Sequence, residues 1–364
     1  MSESERPHHN RWKLLAGLAA LFLSGVIVTF IVSAEARYLL RAGYEEGRIL
    51  FKRQPLERLV ADPAVAAERR ALFDLVLAAR AFAADSLGLD AADTYTTFSD
   101  VGRDTLLLVL SASPKTVLRP HVWRYPIVGR VPYKGFFDSE AARAAARELE
   151  SAGYDVYLRP AAAFSTLGWF NDPLLSTALY RDPVSLVSTV IHEIAHNTLY
   201  VPSATSFNES FASFVGYRGA AAFFLSRGDS ANAQRAAEMW GDEVELTRFY
   251  RVLAQRLEEL YSGGFETQHV LAEREVIFAA ARDTLAASVG TRFKTYSKQN
   301  FLRRVINNAS VIAARIYRTK LESFDAVYYQ LYGNLEGTIT AIATMVQENP
   351  GAEPYQLLEA FEPW

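Results

Sequence analysis

The chain has 364 residues, 50% of them hydrophobic and 22% charged, with a net charge of −3 and no cysteine. These values describe a globular protein with a sizeable core, and they exclude disulfides, thiolate metal ligands and a cysteine nucleophile. The slight acidity, with an isoelectric point near 6.1, offers no long-range attraction to phosphate backbones, so nucleic acid is not expected as a partner.

From Leu14 to Ala34 the run LLAGLAALFLSGVIVTFIVSA extends for 21 residues without a charge. At about 1.5 Å per residue it is long enough to cross a hydrocarbon layer of ~30 Å. A transmembrane anchor is predicted there in preference to a cleaved signal, whose apolar stretch usually covers only about 7 to 15 residues. Arg6, Arg11 and Lys13 precede the run and favour a cytoplasmic tail at residues 1–13, although Arg37, Arg41 and Arg48 follow it and weaken the asymmetry. The expectation is a single-pass protein of the cell inner membrane whose bulk is extracytoplasmic (periplasmic).

Residues 35–93 carry helical spacing, as at Leu56, Leu59 and Val60 and again at Leu72, Leu75, Val76 and Ala79, and predict a helical stalk or cap. From about Thr94 the pattern changes to short apolar runs rich in Val, Tyr and Phe: DTLLLVLSAS, YPIVGRVPYKGFF and YDVYLRP. Between the last two, DSEAARAAARELESAG has Ser139 near its start and Gly153 at its end, as a helix closed by a glycine does. Residues 94–180 therefore read as a small mixed sheet with its helix. Residues 181–364 read as a helical lobe broken at VPSATS, RGDS, YSGG, SVGT and ENPGAEP. The predicted fold is α+β, predominantly α, with an N-terminal transmembrane helix at 14–34, and 94–364 forming one catalytic unit.

The chemistry concentrates in IHEIAHNTLYVPSATSFNESF at 191–211. Asp182 can cap the preceding helix, Pro183 suits its first turn, and Leu186, Val187, Val190, Ile191 and Ile194 form an apolar face. His192 and His196 then lie one turn apart, with Cβ atoms roughly 5 to 6 Å from each other. Both rings can reach one ion at about 2.0 to 2.1 Å. Glu193 is rotated about 100° around the helix from His192, the position of a base and not of a ligand. With 6 histidines in the chain, H-E-x-x-H arises by chance in about one such sequence in two hundred. The bland alternative is a helix whose histidines make ordinary hydrogen bonds.

Catalytic zinc sites commonly add a glutamate to two histidines. Glu209 follows His196 with twelve residues between them, enough to end one helix, turn at Pro202 and begin another. Its rival role is structural, because Ser206 and Glu209 have the S-x-x-E spacing of a capping box. Asn208 could orient the surroundings of Glu209 by hydrogen bonding.

Together with YPIVGRVPYKGFFD at 125–138, FSTLGWFNDPLLST at 164–177 and INNASVIAARIY at 306–317, the motifs HEIAHNTLYV and FNESFASFVG give a resemblance. The chain resembles the predicted aminopeptidase family of bacterial envelope proteins, which is similar to the gluzincins, thermolysin-like zinc metallopeptidases with a glutamate ligand on a later helix. The resemblance covers nearly all of the chain from about residue 35. It implies one Zn2+ held by His192, His196 and Glu209, with Glu193 as catalytic base and a peptide or protein as substrate. It also makes Gly168, Trp169 and Phe170 candidate substrate-cleft residues, with strand packing as the alternative. Tyr317 or Tyr133 is a candidate donor to the tetrahedral oxyanion. Asn307 and Asn308 either bind the peptide ends or cap helices, and His121 and His269 read as bystanders.

Two features depart from that pattern. The chain has no cysteine for the lipid anchor of many family members, which leaves the apolar helix as the expected attachment. It also lacks the G-x-M-E-N motif with which gluzincin aminopeptidases hold a free amine. An endopeptidase acting on envelope proteins or cell-wall peptides is the alternative enzyme, and a catalytically silent scaffold the alternative outside enzymes.

Overall fold

In a computed structural model of the chain, the described residues are 34–125, 129–161, 173–179 and 182–362, with Lys13, residues 15–18 and Leu21 nearer the N-terminus. The chain divides into two units, residues 1–52 and 53–364. In the first, the main described element is helix α1 (Ala34–Phe51). Arg41 and Arg48 of this helix pair with Glu45 at 2.8 and 3.0 Å.

Among the described residues no helix is long and apolar enough to cross a membrane. This corrects the transmembrane helix expected at 14–34, and with it the inner-membrane, single-pass, extracytoplasmic placement and the membrane as a partner. The long helix found at this end is α1, and it carries Arg37, Arg41, Glu45, Glu46 and Arg48. Each such side chain costs about 2.5 to 3.5 kcal/mol or more at the centre of a bilayer. Leu14, Ala19, Ala20 and residues 22–33 of the apolar run lie outside the described residues.

The second unit is α+β and predominantly helical. Its strands form separate small sheets where one mixed sheet was expected. β1 (Gln54–Pro55) pairs antiparallel with β2 (Thr97–Ser99), and β2 pairs parallel with β8 (Leu174–Leu175). β4 (Trp123–Tyr125) and β5 (Gly129–Val131) pair antiparallel with each other. β3 (Leu107–Pro114) is the centre of an antiparallel sheet between β6 (Lys134–Phe136) and β7 (Tyr154–Ala161). One of its faces is crossed by α4 (Ser139–Ser151), capped by Asp138 at Ala141 N–H and followed by Gly153 at φ 85°.

The main core draws on α2 (Leu56–Ala61), α3 (Ala67–Leu87), α5 (Pro183–Thr198) and α6 (Thr205–Ser226). Leu56, Phe73, Val76, Val190, Ile194, Phe207, Phe211 and Phe214 are all buried there, each worth about 1.5 to 3 kcal/mol for the apolar area removed from water. A second cluster joins α7 (Ser230–Ser262), α8 (Thr267–Thr284) and α10 (Asn308–Tyr317) through Leu246, Leu257, Phe278 and Val311. The short α9 (Lys298–Leu302) precedes α10, while α11 (Leu321–Gln330), α12 (Leu335–Glu348) and α13 (Pro354–Glu359) close the chain.

α10 is stitched to the β3–β7 sheet by polar contacts. Asn308 donates to the Pro114 carbonyl at 2.9 Å, and its backbone N–H donates to Asp155 at 3.0 Å. Asp155 also pairs with buried Arg274 of α8. The first turn of α10 is thereby fixed relative to β7, and Tyr317 ends the same helix.

Candidate metal centre

Local rules build the histidine helix. The Asp182 side chain accepts from Ser185 N–H at 3.0 Å, and Pro183 occupies the first turn of α5, where a missing N–H has no helical partner to lose. Burial of Leu186, Val187, Val190, Ile191 and Ile194 leaves His192, Glu193 and His196 partly exposed beside them.

α6 approaches this helix over small residues. Glu209, Ala212, Gly216 and Gly219 recur at three- and four-residue steps and so share one face. At Gly219 a Cβ would lie 2.9 Å from Ile191 Cγ2. The absence of side chains lets the two helices come close enough for Glu209 to reach the histidines. α6 begins at Thr205 with Ala204 as its N-cap and no side-chain capping bond, so Ser206 and Glu209 form no capping box.

His192 Nε2 and His196 Nε2 are 3.2 Å apart. Glu209 Oε2 is 3.4 Å from the first and 3.8 Å from the second. One donor atom from each of the three lies within 4.8 Å of the others, and no other trio of this kind occurs among the described residues. Ligand atoms around a tetrahedral zinc at about 2.0 to 2.3 Å stand roughly 3.3 to 3.7 Å from one another. The donor types and their spacing fit such an ion.

The electrostatics are those of a buried, mutually compensating group. Burial opposes a charge on His192, but Glu209, Glu193 and a hydrogen bond to the Ala212 backbone outweigh it and hold the ring's pKa above its usual value. His196 is pushed down to about 4 by burial and by the neighbouring His192. For Glu209 burial again opposes ionisation, while His192, His196 and Arg159 together hold the carboxyl below its ordinary range.

Two phenols face the same charges. Tyr317 is pushed up to about 12, first by burial and then by Glu209, with Tyr133 and Glu193 adding to the shift and Arg159 opposing it. Tyr133 is raised by burial and by Glu209, and Arg159 opposes that shift too. Both O–H groups are therefore protonated at neutral pH and can donate.

A family model described as "Putative aminopeptidase" matches residues 37–357. The chain belongs to this family. No curated protein and no solved structure matches it.

Within this aminopeptidase-family chain the remaining candidates fall in different places. Gly168, Trp169 and Phe170 lie outside the described residues. Asn307 caps α10, accepting from Ser310 N–H while Ser310 Oγ accepts from Asn307 N–H, and its amide donates to the Val156 carbonyl at 2.9 Å. Asn308 is fully buried, accepts from Tyr261 at 2.8 Å and donates to Pro114. Of the two roles expected for this pair, peptide binding or capping, Asn307 takes the cap of α10, and the amides of both residues bond to the β3–β7 sheet and its following turn.

Asn208 has a different partner from the one expected. Its side chain accepts from Val201 N–H and donates to the Val201 carbonyl, both at 2.9 Å. It fixes the turn between the two site helices and does not hydrogen-bond Glu209. His121 sits edge-on to Trp123 and Tyr154, and His269 lies against Phe265. Arg159 was not anticipated, although YDVYLRP carries a signal. Asp155, Tyr157 and Arg159 alternate with Val156 and Leu158, so the polar members share one face of the strand.

Proposed function

We propose that the chain is a zinc-dependent metallopeptidase, an aminopeptidase that hydrolyses peptide bonds in peptides or proteins. The observation that carries this reading is the convergence of His192, His196 and Glu209, with Glu193 next to His192 on the histidine helix. Family membership supports the peptidase class. Zinc bound by the three residues would supply a Lewis acid for the substrate carbonyl and would lower the pKa of water from 15.7 to about 7.

The chain's own residues account for the proton movements. Glu193 takes a proton from the attacking water as its oxygen bonds to the carbonyl carbon, and returns that proton to the amine nitrogen as the C–N bond breaks. Tyr317 donates a hydrogen bond to the carbonyl oxygen as negative charge develops there, a role for which its raised pKa keeps the proton in place. No acyl-enzyme forms, since neither residue attacks the carbonyl.

The decisive measurement combines metal content with peptide hydrolysis in the wild type, Glu193→Gln and Glu209→Gln. The expected pattern is about one zinc per chain with activity in the wild type, zinc without activity in Glu193→Gln, and loss of both in Glu209→Gln. Undiminished zinc in Glu209→Gln removes it from the ligand set, and full activity in Glu193→Gln removes the proposed base. Blocking the free amine of the peptides separates exopeptidase from endopeptidase action.

A further inference from the structure

A cleft of about 730 Å³ runs along β7, which is an outer strand of its sheet. Its lining takes arginines from three elements: Arg143 and Arg147 from α4, Arg159 from β7, and Arg304 from the segment after α9. Glu150 is the lone acid among the described residues of that lining. The excess of positive charge stands against a chain whose net charge is −3. Among the described residues its ion pairing is weak: Arg143 lies 4.0 Å from Glu140, with both side chains well exposed. Arg304 lies over the Phe301 ring at 4.3 Å, which orients the guanidinium and leaves its N–H groups for other acceptors.

We propose that this cleft receives an acidic segment of the peptide substrate, with Arg143, Arg147 and Arg304 pairing with Asp or Glu side chains and Arg159 joining the cleft to the metal centre. The proposal rests on the peptidase reading for its substrate class. The volume falls in the ~300 to 1,000 Å³ range of ligand sites, too large for a single small anion. The lining also has the required mixture, since Leu158 and Val305 supply apolar surface between the charges. A peptide with alternating acidic and apolar side chains matches that mixture. Nucleic acid fits less well, because the basic surface is confined to one cleft of a net acidic chain. The cleft reaches towards the centre through β7 itself, because the strand that carries Arg159 packs against α10, the helix that ends at Tyr317.

The test uses the full chain carrying Glu193→Gln and fluorescein-labelled peptides that differ only in having Glu, Gln or Lys at three positions. Fluorescence anisotropy should show the Glu peptide binding at least tenfold more tightly than the Gln peptide, with the Lys peptide weakest. The preference should shrink in 0.5 M salt, as screened charge pairs do. Adding Arg147→Gln and Arg304→Gln, both at exposed positions, should cut the preference below threefold without altering affinity for the Gln peptide. Equal binding of Glu and Gln peptides overturns the proposal, and so does an oligonucleotide that displaces the Glu peptide as readily as an unlabelled copy does. A charge preference in binding, with no peptide cleaved by the zinc-loaded wild type, supports the cleft and sinks the peptidase reading. Cleavage by the wild type with no charge preference does the reverse.

Discussion

Gly216 of α6 lies directly against His192 of α5: a Cβ added at Gly216 would be 3.1 Å from the His192 Cβ and 2.7 Å from the Ser188 carbonyl oxygen. The carbonyl belongs to the helix backbone and cannot turn aside, so Gly216→Ala must push the helices apart. Alanine gains about 1 kcal/mol of helix propensity, but overpacking costs about 1 to 3 kcal/mol, and the clash wins because it is with backbone. Urea unfolding should show a net loss of about 1 to 2 kcal/mol. Competition with a chelator should show zinc affinity reduced at least tenfold, since Glu209 moves with α6. Gly241→Ala is the control: nothing lies within 4 Å of its added Cβ, so it should stabilise by about 0.5 to 1 kcal/mol with zinc affinity unchanged.

The turn between the site helices depends on one side chain. Asn208 is 2% exposed and satisfies both backbone groups of Val201. Asn208→Ala leaves the Val201 N–H without its partner, at about 1 to 3 kcal/mol, while the Val201 carbonyl keeps the Ala204 N–H at 3.2 Å. A loss of roughly 1 to 3 kcal/mol in denaturant unfolding is expected, with faster hydrogen exchange confined to residues 199–208. Stability within 0.5 kcal/mol of the wild type would show that water replaces both bonds.

How far the site was legible depended on whether it obeyed local or long-range rules. Asp182 and Pro183 mark a helix start by chemistry acting within four residues, and the i, i+4 histidines follow from helix geometry alone. The role of Glu209 was ambiguous because S-x-x-E serves a cap as well as a ligand. In the structure α6 starts at Thr205 without a capping box, and Gly216 and Gly219 let Glu209 approach the histidines, a packing relation that a linear pattern does not encode. Asn307 and Ser310 have cap spacing that could have been read as such. Arg159 lies on a strand fifty residues from Glu209, and only the register of β7 against β3 brings it into play. The apolar run at 14–34 predicted a span from its length and lack of charge, whereas the helix described at Ala34–Phe51 carries charges along its length.

Asp182 provides a pH test of the histidine helix. Burial works against its charge, but hydrogen bonds from Ser185 and the pairing with Arg235 hold its pKa below the ordinary 3.8. A carboxyl with a depressed folded pKa contributes stability that is present above 3.8 and is lost as pH falls through the lower folded value. Asn is an equally good cap without the charge, so Asp182→Asn isolates the ionic part. Melting temperatures should show a constant gap between wild type and variant from pH 7 to 5, narrowing below 3.8 and closing at lower pH. A gap that persists to pH 2 would place the effect outside the charge.

Tyr317 is the remaining test of the chemistry. It ends α10, the helix whose first turn Asn308 and Asp155 hold against the sheet, and its phenol is pushed up to about 12, so the proton is present throughout the neutral range. Tyr317→Phe removes one O–H and little volume, and metal content should stay at the wild-type level because the phenol is not one of the three proposed ligands. If it donates to the developing oxyanion, kcat should fall about 10² to 10³-fold with KM nearly unchanged, since that bond strengthens only in the transition state. Tyr133→Phe serves as the comparison, because Tyr133 feels the same carboxylate from a strand connection and not from a helix end. An equal fall in both variants would mean that the two phenols act as a pair. A rise in KM alone for Tyr317→Phe would mean that it holds the substrate without favouring the reaction.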